Sequence, residues 1–176
     1  MKRTLVIPVL LLTSFASSAM TLTSKDIQEG SRMADTFAFN SFGCTGENKS
    51  PQLSWSDVPQ GTKSFAITAY DPDAPTGSGW WHWVAVDIPT SVTSIEQDAS
   101  AKGLTANQMK NDYGLSGFGG VCPPKNHGMH RYQFTVWALP ADKLDIPQGA
   151  SNALIGYMLN ATSLNKATLT ATYVSE

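Results

Sequence analysis

The chain has 176 residues, of which 41% are apolar, 15% charged and 10% aromatic. That is enough apolar material for one domain with a sizeable core, and too few charges with too many aromatics for a disordered chain. Fourteen glycines and ten prolines without a collagen period read as turns, and a formal charge of −2 gives no general attraction to nucleic acid.

The chain opens with Lys2-Arg3, an apolar run from Thr4 to Leu12 broken by Pro8, and the small residues Ser17-Ser18-Ala19. This order predicts a signal peptide over residues 1–19, cleaved after Ala19, and a single domain over residues 20–176. The apolar run is too short to span a bilayer and no later run is long enough, so no stable membrane insertion is expected. No cysteine follows the apolar run closely, which argues against a lipid anchor.

The mature chain reads as β-rich. Strands are predicted at Met20–Ser24, around the alternating Phe37 and Phe39, at Leu53–Trp55, Ser64–Tyr70, Trp83–Ile88, Tyr132–Leu139 and Ala167–Val174. The Trp83–Ile88 run is almost continuously apolar, as expected of a strand buried on both faces. A helical turn is predicted near Ser24–Gln28. A longer helix follows Ser151 as N-cap, with Leu154, Ile155, Met158 and Leu159 on one face. These elements, without repeats or a long linker, predict an all-β-dominated domain: an antiparallel sandwich with a few short peripheral helices.

Cys44 and Cys122 both lie in glycine-rich, turn-like segments. Export places them where disulfides persist, which favours their single internal pairing over two free thiols or an intermolecular bridge.

Two loops concentrate chemistry. Asp71-Pro72-Asp73-Ala74-Pro75 follows a core strand and leads through Thr76–Gly79 to Trp80-Trp81-His82-Trp83. The prolines stiffen this turn, and Asp71 is expected to accept from an imidazole N–H of His82 or His130, fixing its tautomer. The second loop, 117–132, carries Gly119-Gly120, Cys122-Pro123-Pro124, His127 and His130-Arg131-Tyr132. Its glycines are expected to offer N–H groups to an anion. Strand alternation turns Arg131 away from His130 and Tyr132, toward a structural role. A hairpin and loop whose Asp and His satisfy one another is the plainer reading of the same residues.

DPDAP at 71–75, Trp81-His82-Trp83, and Pro123-Pro124-Lys125 followed by Gly128-Met129-His130-Arg131-Tyr132 resemble the phosphatidylethanolamine-binding protein family, also called the Raf kinase inhibitor protein family. The short Thr76–Gly79 connection, the signal sequence and the GFGGVCPP run are most similar to its bacterial YbhB/YbcL branch. The resemblance covers essentially all of the mature chain. It implies a Greek-key sandwich and a pocket for phosphate-like head groups. Carried over by motif, the ligand-binding residues are Asp71, Pro75, His82, Pro123, His130 and Tyr132; Trp80 matches the tryptophan before the family's histidine pair and is expected at the pocket, as is Gly120 through the N–H groups of the glycine-rich run. It also implies a Gram-negative periplasmic location, with release from the cell as an extension. The C-terminal helix and pocket tyrosine of eukaryotic members have no match here.

The expected function is therefore non-catalytic binding of a small phosphate-like anion, without cofactor or metal. His127, Met129 and His130 lack further ligands for a metal site. An acid–base hydrolase using Asp71 and His130 is a weaker reading, since no G-x-S-x-G elbow is present and Ser78 is only a loop serine near His82. A secreted inhibitor acting on an unknown protein partner is the main alternative. The sequence leaves a homodimer open.

Overall fold

The computed structural model describes residues 19–175; the expected signal segment lies, apart from Ala19, outside the described residues. Among the described residues, eight strands form two antiparallel sheets. The smaller contains β1 (Thr21–Thr23), β2 (Leu53–Ser56) and β5 (Ser94–Ile95), in that order. The larger contains β3 (Ser64–Asp71), β4 (Trp80–Pro89), β6 (Asn107–Gln108), β7 (His130–Leu139) and β8 (Asn165–Tyr173), in the order β6-β4-β3-β7-β8. From β4 the chain visits the small sheet, returns at the β6 edge, then crosses to enter beside β3. That return is a Greek-key connection.

Alternation along β3 sends Phe65, Ile67, Ala69 and Asp71 to one face and Ala66, Thr68 and Tyr70 to the other. The first face meets the small sheet, where Trp55 packs edge-on against Phe65 with centroids 5.3 Å apart. The second face is covered at one end by α1 (Asn152–Thr162), whose Ile155 and Leu159 bury against Ala66, Val84, Val86 and Leu139. Each such aliphatic side chain contributes about 1.5–3 kcal/mol on burial. Among the described residues no helix is long and apolar enough to cross a membrane.

The sandwich agrees with the sequence reading; four local expectations need correction. Phe37 and Phe39 are buried but form no strand: Asp35–Phe37 is a 3₁₀ turn, and Ala38 makes a single parallel bridge to Val121. The Ser24–Gln28 segment is a bend, because the Ser24 hydroxyl accepts from the N–H groups of Asp26 and Ile27 and competes with a helix. Ser151 does cap α1, but Leu154 is 39% exposed; the buried stripe runs through Ile155, Gly156 and Leu159 because the Trp81 ring lies against Gly156. Lastly, β4 starts at Trp80 and β7 at His130, earlier than expected, so both histidines are strand residues.

Candidate functional site

Asp71 ends β3, and His130 begins β7 beside it. Ladder pairing therefore fixes both backbones before any side-chain contact is made. Pairing between β3 and β4 matches Ala69 with Trp83 and Tyr70 with Trp81, which leaves His82 as an extra residue on β4. This bulge breaks the alternation and turns His82 to the same side as Trp83 and Trp80. Asp71, Trp80, His82 and His130 thus line one cavity of about 460 Å³. Pro75 and Pro123 form part of its walls, as expected, and the rings of Phe42 and Tyr113 complete them.

Asp71 is 2% exposed, and both carboxylate oxygens are engaged. Oδ2 accepts from Nδ1 of His130 at 2.7 Å, and Oδ1 accepts from the N–H of Asp73 at 2.8 Å. Of the two partners expected for Asp71, the structure chooses His130. His82 instead donates Nδ1–H to the carbonyls of Gly119 and Gly120, at 2.8 and 3.1 Å. Carbonyls only accept, so the proton of neutral His82 resides on Nδ1 and Nε2 keeps its lone pair. Burial also pushes the His82 pKa below the ordinary imidazole value.

Gly120 is placed otherwise than expected. Gly119 N–H donates to the His82 carbonyl at 2.8 Å and Gly120 N–H to Asn48 Oδ1 at 2.7 Å, so neither forms an anion nest. Their carbonyls, not their N–H groups, serve the site by orienting His82. Tyr132 is likewise behind the cavity rather than on its wall, packed edge-on against His82 with centroids 5.2 Å apart. Burial raises the pKa of Tyr132 and of Tyr113, so both are neutral phenols.

Arg131 points away, as alternation predicts. It binds Asp73 through Nε at 2.9 Å and Nη2 at 2.7 Å, and its backbone N–H reaches the same carboxylate. The Arg131 hydrogen bonds hold the Asp73 carboxyl at about 2. The pair ties the 71–75 loop to β7. Cys44 and Cys122 are joined in a disulfide, with Cα atoms 6.0 Å apart, and both line the cavity. Ser78 lines a separate concavity beside α1 and does not approach His82 as a nucleophile would.

Two contributors carry no sequence motif. Tyr113 stacks on Phe39 at 4.1 Å and bonds Gly120 O through its hydroxyl at 3.3 Å; buried Asn111 fixes its turn by accepting from Tyr113 N–H. His127 places Nδ1 2.7 Å from Nε2 of His130. Among the described residues, four buried side-chain polar atoms lack a hydrogen-bond partner, and two of them, Trp80 Nε1 and Ser175 Oγ, belong to residues that line the cavity. Such atoms are rare in folded proteins.

Fold and site define an antiparallel sandwich with a histidine-, aspartate- and aromatic-lined pocket at one end. A family model described as phosphatidylethanolamine-binding protein matches residues 23–174. The UPF0098 protein YbcL of Escherichia coli is 48% identical over 180 residues, 98% of each chain, and the UPF0098 protein YbhB of the same organism is 45% identical over 159 residues, 88% of this chain and 99% of YbhB. The crystal structure of E. coli YbcL covers 90% of this chain and 100% of that one with a TM-score of 0.85. A putative phosphatidylethanolamine-binding protein homologue, CT736 from Chlamydia trachomatis, is 29% identical, with a TM-score of 0.75 over 90% of this chain and 99% of that one. The chain belongs to the phosphatidylethanolamine-binding protein family.

Proposed function

We propose that the protein binds a small phosphate-like anion or head group in the cavity between Asp71, Trp80, His82 and His130, without turning it over. The observation that carries this reading is an aromatic-walled cavity whose His82 has a bare Nε2 and whose lining residues Trp80 and Ser175 each keep a polar atom, Nε1 and Oγ, without a partner in the protein. A monoprotonated phosphate matches this mixture. Its oxygens accept from N–H and O–H donors, while its own O–H donates to an imidazole lone pair. The buried carboxylate of Asp71 is already shared between His130 and the Asp73 N–H, so it orients His130 rather than repelling a ligand as a free charge.

The same reading places the protein in the periplasm of a Gram-negative cell, exported by the 1–19 segment. The Cys44–Cys122 bridge supports an oxidising compartment. Mass spectrometry of small molecules released from protein purified natively from the periplasm tests both parts. Recovery of a phosphorylated small molecule in near-equimolar amount is expected. A periplasmic protein that releases only neutral or cationic molecules would contradict the ligand class.

A further inference from the structure

His127 stands on an exposed turn between Asn126 and Gly128, both at positive φ, yet its imidazole meets a residue only 1% exposed. Nδ1 of His127 lies 2.7 Å from Nε2 of His130, with ring centroids 4.9 Å apart and planes at 69°. On its other side, His130 gives Nδ1–H to Asp71. A hydrogen bond between two imidazole nitrogens holds one proton. With Nδ1 of His130 already protonated toward the carboxylate, neutral His130 has a bare Nε2, and the shared proton sits on His127. In this state His127 occupies the nitrogen that His130 would otherwise offer a ligand.

One added proton leaves the contact intact, because it takes Nε2 of His127 and a single proton stays between the facing nitrogens. With a further proton both rings are charged, both facing nitrogens carry hydrogen, neither can accept, and attraction becomes repulsion. His130 is held by the β7 ladder and by Asp71, so the exposed His127 is the partner that moves. It leaves an imidazolium whose Nε2–H is unpaired and whose charge faces the Asp71 carboxylate.

The other ionisable groups around the pair do not compete for this proton. Asp71, from β3, accepts from His130. Asp73, from the following loop, is bound to Arg131. His82, from β4, is buried and disfavoured in its charged form. Tyr132 and Tyr113 remain phenols, and Lys125 adds a positive charge to the cavity wall.

We propose that His127 is a positioning residue that sets what His130 offers a ligand: it caps Nε2 while one proton is shared, and releases it as an N–H donor to a phosphate-like anion when both rings are charged. The ligand half rests on the anion-pocket reading above; the capping half rests on the histidine geometry alone.

The test combines imidazole nitrogen NMR of His130 from pH 8 to 5 with calorimetric titration of inorganic phosphate at pH 7.5 and 5.5. The proteins are wild type, His127→Ala and His127→Gln. Wild type should show two coupled steps for the histidine pair, and His127→Ala a single His130 step. At pH 7.5 the uncapped His127→Ala should bind phosphate about fivefold more tightly than wild type, the worth of one neutral hydrogen bond. Glutamine can donate to a bare nitrogen or accept from a protonated one, so His127→Gln should keep the cap and bind weakly at both pH values. Superimposable His130 titrations in wild type and His127→Ala overturn the capping. Phosphate binding by His127→Ala no tighter than wild type at pH 7.5 overturns the gating. Absence of phosphate binding in every protein overturns the anion reading, while the His130 titration still decides whether His127 caps it.

Discussion

His82 shares one N–H between two consecutive carbonyls, Gly119 O at 2.8 Å and Gly120 O at 3.1 Å, on a ring 2% exposed. The buried ring resists a second proton, and its pKa lies below the ordinary imidazole value. Above about pH 6.5, the usual histidine range, folded and unfolded chains both hold His82 neutral, and its contribution to stability is complete. As pH falls below that range the unfolded chain takes up a proton that the folded chain refuses, so stability declines until the native His82 also protonates. Melting temperatures from pH 8 to 4.5 should fall below about 6.5 in wild type and fall less in His82→Asn. Parallel curves for the two proteins would show that His82 is not the group responsible.

Gly120 is required by space rather than by backbone freedom. A Cβ there would sit 2.5 Å from both Phe37 O and Phe39 N, and backbone atoms cannot step aside as a side chain can. Gly120→Ala should cost about 3 kcal/mol or more, at the upper end for overpacking, and displace one of the carbonyls that orient His82. Urea denaturation measures the cost. A loss below about 0.5 kcal/mol, typical of an unconstrained surface site, would contradict the packing described.

Asp71→Asn changes the hydrogen-bond balance without changing shape. The native carboxylate accepts from both His130 Nδ1–H and Asp73 N–H. An asparagine has one oxygen for those two donors, so its amide N–H must face one of them. Either a donor is left unmet, at about 1–3 kcal/mol, or His130 flips its proton to Nε2. Lower stability is expected, and weaker phosphate binding despite the lost negative charge. Tighter binding would mean that Asp71 acts by repulsion rather than by orienting His130.

The Cys44–Cys122 bridge closes a loop across 78 residues of sequence and pins the 117–129 loop at the cavity wall. Chain entropy alone assigns such a closure on the order of 4 kcal/mol. Reduction, or replacement of both cysteines by serine, should lower the melting temperature by several degrees and weaken ligand binding with it. Thiol labelling of the denatured, unreduced protein should find no free thiol; two would contradict the pairing.

Much of this site was legible in the sequence because Asp71 and His130 adjoin strongly apolar runs, and such runs locate strands. The 71–75 and 128–132 segments were specific enough together to indicate the family. What could not be read was set by distant partners. The bulge that turns His82 inward depends on how β4 registers against Ala69 and Tyr70. The glycine N–H groups of 119 and 120 were free on paper, but His82 O and Asn48 Oδ1 claim them in the fold. Tyr113 reaches the cavity only because Asn111 shapes its turn and Phe39 supplies a stacking face. The contact of His127 with His130 could not be read because a loop position says nothing of which side chain it meets. The two-residue strands β5 and β6 are too short to leave a periodic signal, and they form because β2 and β4 offer them pairing edges.

Calorimetric titration of inorganic phosphate into the oxidised mature protein at pH 6 tests the central claim most directly, with Trp80→Phe and His130→Ala measured alongside. Trp80→Phe removes a donor that has no partner within the protein, so it should keep the fold while weakening the ligand. Saturable binding at one site is expected, weakened about fivefold by Trp80→Phe and at least about tenfold by His130→Ala, in line with neutral and charge-assisted hydrogen bonds respectively. No binding heat in wild type, or equal affinity in all three proteins, would contradict the assignment of this cavity as an anion site.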